Sequence, residues 1–448
     1  MKIYFLGIGG IGMSALARYY HRRGAEIHGY DRVPSPLTNK LIDEGMYIHF
    51  EDNPDEIPSD IDLCIYTPAV PMDNREFLYF KQSGIRFVKR SQVLGEIAAG
   101  KTCYAVAGTH GKTSITAMLA HIMRGQRPIT AFIGGISANY NTNLIDVANA
   151  QTMLVEADEF DRSFLSLEPD IAVITAIDPD HLDIYGTTQQ LYQSFNEFVQ
   201  RIKPNGVLLL KSDLISTITP SCAVRTYSLD DTSADYHVRN LYTHKPDKMQ
   251  FDFVTPLGLI QNMNLEKIGM HNLENAVAAA AVCHLAGVEP NSIRQPLKTY
   301  KGVKRRFEYI INRPDFVYID DYAHHPQEIK ACVESVRKMH PDKKVCGVFQ
   351  PHLFSRTRDL ADGFARSLEL LDTVVLLDIY PAREQPIKGV DSKMLLNKIN
   401  KTEKFLVGRD NLIDCLKNIK PEIIVTMGAG DIDRLVMKIK YAFDGIVN

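Results

Sequence analysis

Cys103-Tyr-Ala-Val-Ala-Gly-Thr-His-Gly-Lys-Thr-Ser114 reads as a short buried strand, a glycine loop and the opening of a helix. Ile115, Met118, Leu119 and Ile122 follow at i, i+3, i+4 and i+7, the spacing of an amphipathic helix. A helix N-terminus presents spare backbone N–H groups and the positive end of the helix dipole, and both attract phosphate. Gly108 and Gly111 let the backbone bend round phosphate oxygens with no Cβ in the way. Lys112 is placed to reach the β- and γ-phosphates, and the Thr113 hydroxyl to ligate Mg²⁺. Val106 stands where a strict P-loop has its first glycine. A plain glycine turn beside a surface lysine has the same composition, but it does not require strand, loop and helix in this order. The order favours a nucleotide site.

The bulk numbers agree with a globular chain of several domains. Its 448 residues allow two to four domains at roughly 100–200 residues each. Apolar residues make up 45% and charged residues 23%, with a net charge of −3, so composition offers no basic surface for nucleic acid. No apolar run approaches the ~20 residues that span a bilayer. The N-terminal lysine and short apolar run look like a signal peptide, but Gly7, Gly9, Gly10 and Gly12 fit a fold motif better than a cleavage site. Seven scattered cysteines without a CxxC pair favour buried thiols in a reducing compartment. The expectation is a cytoplasmic protein with no membrane or nucleic-acid partner.

The N-terminal third opens with an apolar strand at 2–6, then Gly7-Ile-Gly9-Gly-Ile-Gly12, then Met13, Leu16, Ala17 and Tyr20 on one helical face. A second strand at 26–30 ends at Asp31. This is the GxGxxG unit of a doubly wound domain, with an acid about twenty residues on. Alone it indicates NAD or FAD, hence a dehydrogenase; a nucleotide sugar satisfies the same diphosphate geometry. The strand-like run 61–66 leads to Thr67-Pro68, a loop at a strand end where α/β sheets bind ligands. Lys89-Arg90-Ser91 precedes a helix at 93–98, and Ala99-Gly100-Lys101 reads as a linker, which sets a boundary near 98.

In the middle third, a strand at 151–155 ends at Glu156-Ala-Asp158-Glu159, and a strand at 171–177 ends at Asp178-Pro-Asp180-His181-Leu-Asp183. Either could be a solvated or capped turn. Two acidic strand ends after a phosphate loop point instead to a Mg²⁺ site, because hard cations take oxygen ligands. Residues 211–265 are strand-prone without a clear pattern. His271-Asn-Leu-Glu-Asn275 opens an alanine-rich helix that Gly287 caps. Asn272 and Asn275 could read a base edge, or serve as N-cap residues.

The last third begins after a basic stretch at 300–308. Four apolar strands, at 316–319, 345–349, 373–378 and 423–426, each end in a polar loop, the pattern of a further doubly wound domain. His324, His325 and Arg356 lie in those loops and could bind anionic substrate groups.

Taken together, Gly7–Ala17, Gly108–Thr113, Glu156–Asp161, Asp180–Asp183, His271–Asn275, Arg305–Glu308, Asp320–Pro326, Gln350–Thr357 and Tyr380–Glu384 resemble the Mur ligases of peptidoglycan synthesis, in the family's order and over essentially the whole chain. The alanine-adding branch matches best. The resemblance implies an α/β fold in three domains: a Rossmann-like domain at 1–98 for the UDP-sugar, a central P-loop ATPase-like domain at 99–303 for ATP, and a C-terminal Rossmann-like domain at 304–448 that binds the amino acid and closes over the site. It implies the ATP-dependent joining of L-alanine to the carboxylate of UDP-N-acetylmuramate through an acyl phosphate, by a monomer or weak homodimer.

Residue by residue, the resemblance implies ATP contacts from Gly108, Thr109, His110, Gly111, Lys112, Thr113 and Ser114. It adds His271, Asn272 and Asn275 beside the adenine, and Arg305 or Arg306 with Asp321 at the ribose or phosphates. Gly7, Gly9, Gly10, Gly12, Met13, Asp31, Thr67 and Pro68 would hold the UDP-sugar. Tyr322, His324, His352 and Arg356 would form the alanine pocket, with Arg356 pairing the substrate carboxylate. Thr113, Glu156 and His181 would hold Mg²⁺; Lys112, Glu156, His181, His324 and Arg356 are the catalytic candidates. Leu353 stands where many relatives carry a basic or polar residue. No lysine lies between His181 and Arg201, so the carbamylated lysine of sister ligases is not expected.

The nearest alternative is the recycling ligase that attaches a whole tripeptide to the same sugar nucleotide. The Gly7–Met13 loop and Tyr380–Glu384 favour the alanine enzyme. An NAD-dependent oxidoreductase would explain Gly7–Asp31 but not the GKT loop or the acidic strand ends.

Overall fold

Strands buried on both faces need helices on both sides of a parallel sheet, and the first strand meets that condition. In the computed structural model, which describes residues 1–178, 185–243, 248–267, 269–382 and 384–445, β1 (Lys2–Leu6) lies at the centre of a parallel sheet. With β2 (Glu26–Tyr30), β3 (Tyr47–His49), β4 (Leu63–Tyr66) and β5 (Arg86–Lys89) the order is β3-β2-β1-β4-β5. Helix Arg75–Gln82 puts Phe77 and Phe80 against Tyr4 and Leu6 on one face. Helices Ile11–His21 and Arg90–Ala98 cover the other, with Leu16 and Val93 against Ile3 and Phe5.

The quoted stretch forms β6 (Thr102–Ala107) and helix Lys112–Met123. Its sheet adds β7 (Ile129–Ser137), β8 (Thr142–Asp146), β9 (Thr152–Glu156), β10 (Ile171–Ile174), β11 (Val207–Lys211) and β12 (Ala223–Tyr227). The order is β12-β11-β10-β6-β9-β7-β8, parallel except for the β7–β8 hairpin. Because β6 sits between β9 and β10, the loops after all three open at one sheet end, where α/β folds bind ligands. One continuous cluster of buried residues runs from Ile3 and Phe5 through Phe132 and Met153 to Phe195 and Leu208, so both sheets share a core. Arg18 strengthens the join: it is 3% exposed, pairs with Glu44 at 2.7 and 2.9 Å, and donates to Asn143. Asn143 in turn donates to Ile11 O at 2.7 Å and Ser14 Oγ at 2.9 Å. These elements belong to a compact unit, Met1–Val303.

The stretch that defied pattern forms a separate antiparallel sheet, β13 (His237–Thr243), β14 (Met249–Thr255) and β15 (Gly258–Leu265). β14 alternates buried and half-buried residues along its whole length.

The second unit, Lys304–Asn448, holds β16 (Glu308–Asn312), β17 (Val317–Asp321), β18 (Val345–Phe349), β19 (Thr373–Leu376), β20 (Glu403–Leu406) and β21 (Ile423–Met427). The order is β16-β17-β21-β18-β19-β20, antiparallel only at β16–β17. The four apolar strands of the sequence are its centre; β16 and β20 are edge strands that the pattern missed, because neither is a buried apolar run. The strands expected at 171–177 and 373–378 stop earlier, at Ile174 and Leu376, and hand over to loops. All seven cysteines are free thiols, five of them buried. Among the described residues no helix is long and apolar enough to cross a membrane.

Candidate active site

Gly108 and Gly111 hold left-handed backbone, at φ 120° and 80°. A Cβ on Gly108 would lie 2.1 Å from Thr175 Oγ1, so the loop presses on the end of β10 and tolerates only glycine there. Thr109 N donates to Ala176 O at 2.9 Å, Asp178 N donates to Thr109 Oγ1 at 3.1 Å, and His110 Nε2 lies 3.3 Å from Asp178 Oδ2. Gly111 is the N-cap of helix Lys112–Met123.

Lys112 and Thr113, the first two residues of that helix, each meet a carboxylate: Lys112 meets Glu159 from the loop after β9, and Thr113 meets Glu156, the last residue of β9. Lys112 Nζ donates to Glu159 Oε2 at 2.7 Å, Glu159 Oε1 at 2.9 Å and Gly108 O at 2.7 Å. Burial pulls the Lys112 ammonium down; Glu159, Asp158 and Glu156 outweigh it and leave its pKa raised. Thr113 Oγ1 donates to the Glu156 carboxylate at 2.9 and 3.0 Å. Gly134 N donates to Glu156 Oε2 at 2.9 Å, and a Cβ on Gly134 would fall 1.9 Å from the same oxygen. Glu156 is therefore aimed at Thr113 through a gap in β7 that only glycine leaves.

A cavity of 260 Å³ joins this site to the first glycine loop. Its lining includes Gly10, Gly12, Met13, Thr67 and Pro68 together with Glu156, so residues expected at the UDP-sugar and at the metal share one chamber. Gly7 packs beside Thr67, where an added Cβ would sit 2.7 Å from Cγ2. Asp31 accepts from Gly9 N at 2.8 Å, and burial raises its pKa. Asp31 thus shapes the glycine loop from within.

Asn275 Oδ1 lies 2.7 Å from where a Cβ on Gly111 would be, which sets helix Met270–Leu285 against the phosphate loop. The N-cap of that helix is Gly269, so the alternative N-cap role for Asn272 and Asn275 does not hold: both lie inside the helix. Burial first, then Lys267, pushes the His271 imidazole down to about 4, and it is neutral at pH 7. Gly287 follows the last turn at φ 75°, as expected of a C-terminal cap. His181, with Asp180 and Asp183, lies outside the described residues.

In the second unit, Tyr322, His324 and His352 form a contiguous group. Ring centroids are 5.2 Å apart for Tyr322–His324 and 6.3 Å for His324–His352, and His352 stacks on Tyr380 at 5.8 Å. His324 Nδ1 lies 3.0 Å from Tyr322 O and 3.3 Å from Glu328 Oε2. Burial lowers the His324 pKa, Glu328 opposes this, and the Arg356 charge adds to it, so Arg356 belongs to the same group. Leu353 is 5% exposed and strained at φ 67° beside His352. Asp321 spends its oxygens on Phe307 N and Ala323 N, both at 2.7 Å. Arg305 is committed to Asp320 at 3.2 Å and Gly428 O at 2.6 Å. Arg306 lies 5.0 Å above the Tyr322 ring.

Sequence reasoning missed Gly134 and the pairing of Glu159 with Lys112. The signal for Gly134 was there: a Gly-Gly pair inside a strand marks a close approach by another group. Glu159 stood in an acidic strand end read as a Mg²⁺ site, but its pairing with Lys112 had no signal, because it depends on how the loop after β9 folds back.

Three family models cover most of the chain: "Mur ligase family, catalytic domain" at residues 2–102, "Mur ligase middle domain" at 106–283, and "Mur ligase, glutamate ligase domain" at 305–430. The UDP-N-acetylmuramate–L-alanine ligase of Porphyromonas gingivalis is 46% identical over 98% of both chains. That of Flavobacterium psychrophilum is 47% identical over 99% of this chain and 98% of its own. Among solved structures, the UDP-N-acetylmuramate–alanine ligase of Thermotoga maritima superposes with a TM-score of 0.84 at 26% identity over 99% of both chains.

Proposed function

The chain belongs to the Mur ligase family, and on that premise we propose that it joins L-alanine to the lactyl carboxylate of UDP-N-acetylmuramate with hydrolysis of ATP to ADP and phosphate. It is an ATP-dependent, amide-bond-forming ligase of peptidoglycan synthesis. The observation that carries the assignment of sites is the single cavity lined by Gly10, Gly12 and Thr67 at one side and Glu156 at the other. Such a chamber suits a reaction between a sugar-nucleotide carboxylate and a γ-phosphate.

The chemistry needs activation because oxide is a poor leaving group. The substrate carboxylate attacks the γ-phosphorus, the bond to the bridging oxygen breaks, and ADP leaves. The alanine amine then attacks the acyl carbon, loses a proton, and expels phosphate that retains one carboxylate oxygen. Lys112 stabilises charge on the transferring phosphoryl group from the helix N-terminus. The neutral His271 and the amides of Asn272 and Asn275 face the nucleotide from the helix beside the loop. We assign residues 1–98 to the UDP-sugar, 99–303 to ATP and 304–448 to the amino acid. In that last segment Arg356 pairs the alanine carboxylate. His324, neutral and with Nδ1 turned to Tyr322 O, offers Nε2 to accept a proton from the amine.

Thr113 Oγ1 and the Glu156 carboxylate, 2.9–3.0 Å apart, are hard oxygen donors of the type Mg²⁺ takes. With His181, as the family resemblance implies, they would hold Mg²⁺, which supplies charge neutralisation at the phosphoryl group.

The test is isotopic. With UDP-N-acetylmuramate labelled by ¹⁸O in its carboxylate, L-alanine and ATP, mass spectrometry is expected to find the alanyl product and one ¹⁸O in the released phosphate. Unlabelled phosphate would remove the acyl-phosphate route.

A further inference from the structure

Glu159 is a buried acid to which the reaction above gives no role. Its side chain is 1% exposed, and both carboxylate oxygens accept from Lys112 Nζ, at 2.7 and 2.9 Å. The third proton of that ammonium points to Gly108 O at 2.7 Å. The fold therefore offers partners from its own groups to the cation that the reaction needs for phosphate. The backbone around Glu159 is fixed as well. Tyr185 donates its hydroxyl to Glu159 O, and Asp161 and Arg162 hold left-handed backbone at φ 55° and 54°. Two successive non-glycine residues in that region carry strain. The turn they make belongs to the loop that brings Glu159 to Lys112.

The charge balance sharpens the point. Glu156, Asp158 and Glu159 all act on the one Lys112 ammonium. A triphosphate brings several more negative charges to the same place.

We propose that Glu159 is a positioning residue that stands in for the terminal phosphate: it holds Lys112 at the loop before nucleotide binds and gives it up when nucleotide arrives. The proposal rests on Gly108–Thr113 being the ATP phosphate loop. The exchange is one of hydrogen bonds alone; Lys112–carboxylate contacts break, Lys112–phosphate contacts form, and no covalent bond changes. Nucleotide affinity is held down by this competition, and Glu159 retakes Lys112 as products leave.

Titration calorimetry with a non-hydrolysable ATP analogue tests this, with and without Mg²⁺. Glu159→Gln is expected to lower the Kd roughly tenfold or more and to weaken its dependence on Mg²⁺, because one repelling charge is gone. In turnover the same variant should show a lower KM for ATP together with a lower kcat. An unchanged Kd and Mg²⁺ dependence, with only a lower melting temperature, would mean that Glu159 merely neutralises a buried ammonium, and would overturn the proposal. Should Glu159→Gln not fold, Glu159→Asp keeps the charge on a stem one methylene shorter. It should tighten binding by a smaller factor, and a wild-type Kd would count against the exchange. Lys112→Ala separates the two levels: if it binds the analogue as well as wild type, the phosphate-loop reading itself fails, whatever Glu159 variants do.

Discussion

Lys112 illustrates how one side chain ties stability to chemistry. Its removal strands Glu159 as a buried charge, and on the proposed function it also removes a contact to phosphate. Lys112→Ala is expected to lower kcat by at least ~10³-fold. It should also lower stability by about 3 kcal/mol in urea unfolding. Near-normal turnover would refute its role. A second buried acid, Glu76, gives a pH signature. Burial pushes it up to about 7 from 4.5, against hydrogen bonds from the Tyr4 hydroxyl and Asn53 N. Its folded pKa exceeds the unfolded one, so between those values the folded state keeps a proton that the unfolded state has lost. Its stabilising contribution is complete below about 4.5 and is lost as pH rises through about 7. Glu76→Gln is therefore expected to flatten the decline in stability between pH 5 and pH 8, by about 2 kcal/mol after solvent screening. Parallel wild-type and variant curves would contradict this. At this scale Lys112, Thr113 and Glu156 were legible because strand–loop–helix order and strand-end acids follow local rules. Asp31 and Arg305 were legible as conspicuous residues, but not in what they touch, since Gly9 and Asp320 reach them only through the folded chain.

Among the elements, β7 is the one whose sequence matters most beyond its own strand. Gly134 leaves the gap through which Glu156 reaches Thr113. Gly134→Ala is expected to displace the Glu156 carboxylate, cut kcat 10–100-fold (roughly 1.4–2.7 kcal/mol) and raise the Mg²⁺ needed for half-maximal rate. Wild-type Mg²⁺ dependence would show that Glu156 has no metal role. Central strands were readable as apolar runs because both of their faces are buried. β20 was not, since it lies at a sheet edge with mostly exposed side chains and its pattern resembles a loop. The β13–β15 sheet escaped for a related reason: register shifts interrupt both of its pairings, and although β14 keeps the period-2 alternation, β15 loses it.

For the molecule as a whole, sequence motifs divide the chain by ligand, whereas packing divides it at Val303. The first two sheets share a core, and Arg18 links helix Ile11–His21 to β8 through Asn143. Met1–Val303 should therefore lose these two sheets in one unfolding transition. Arg18→Ala is expected to destabilise that transition by about 3 kcal/mol, because it leaves the Glu44 and Asn143 groups without their buried partner. Calorimetry resolving a separate early transition for the first sheet would oppose a common core. The central claim, that the chain activates a sugar-nucleotide carboxylate for L-alanine, is tested most directly by phosphate release from ATP. The assay supplies Mg²⁺ and UDP-N-acetylmuramate and compares L-alanine with the L-Ala-D-Glu-diaminopimelate tripeptide. Release with alanine and not with tripeptide is expected; release with tripeptide alone, or with neither from folded protein, would contradict it.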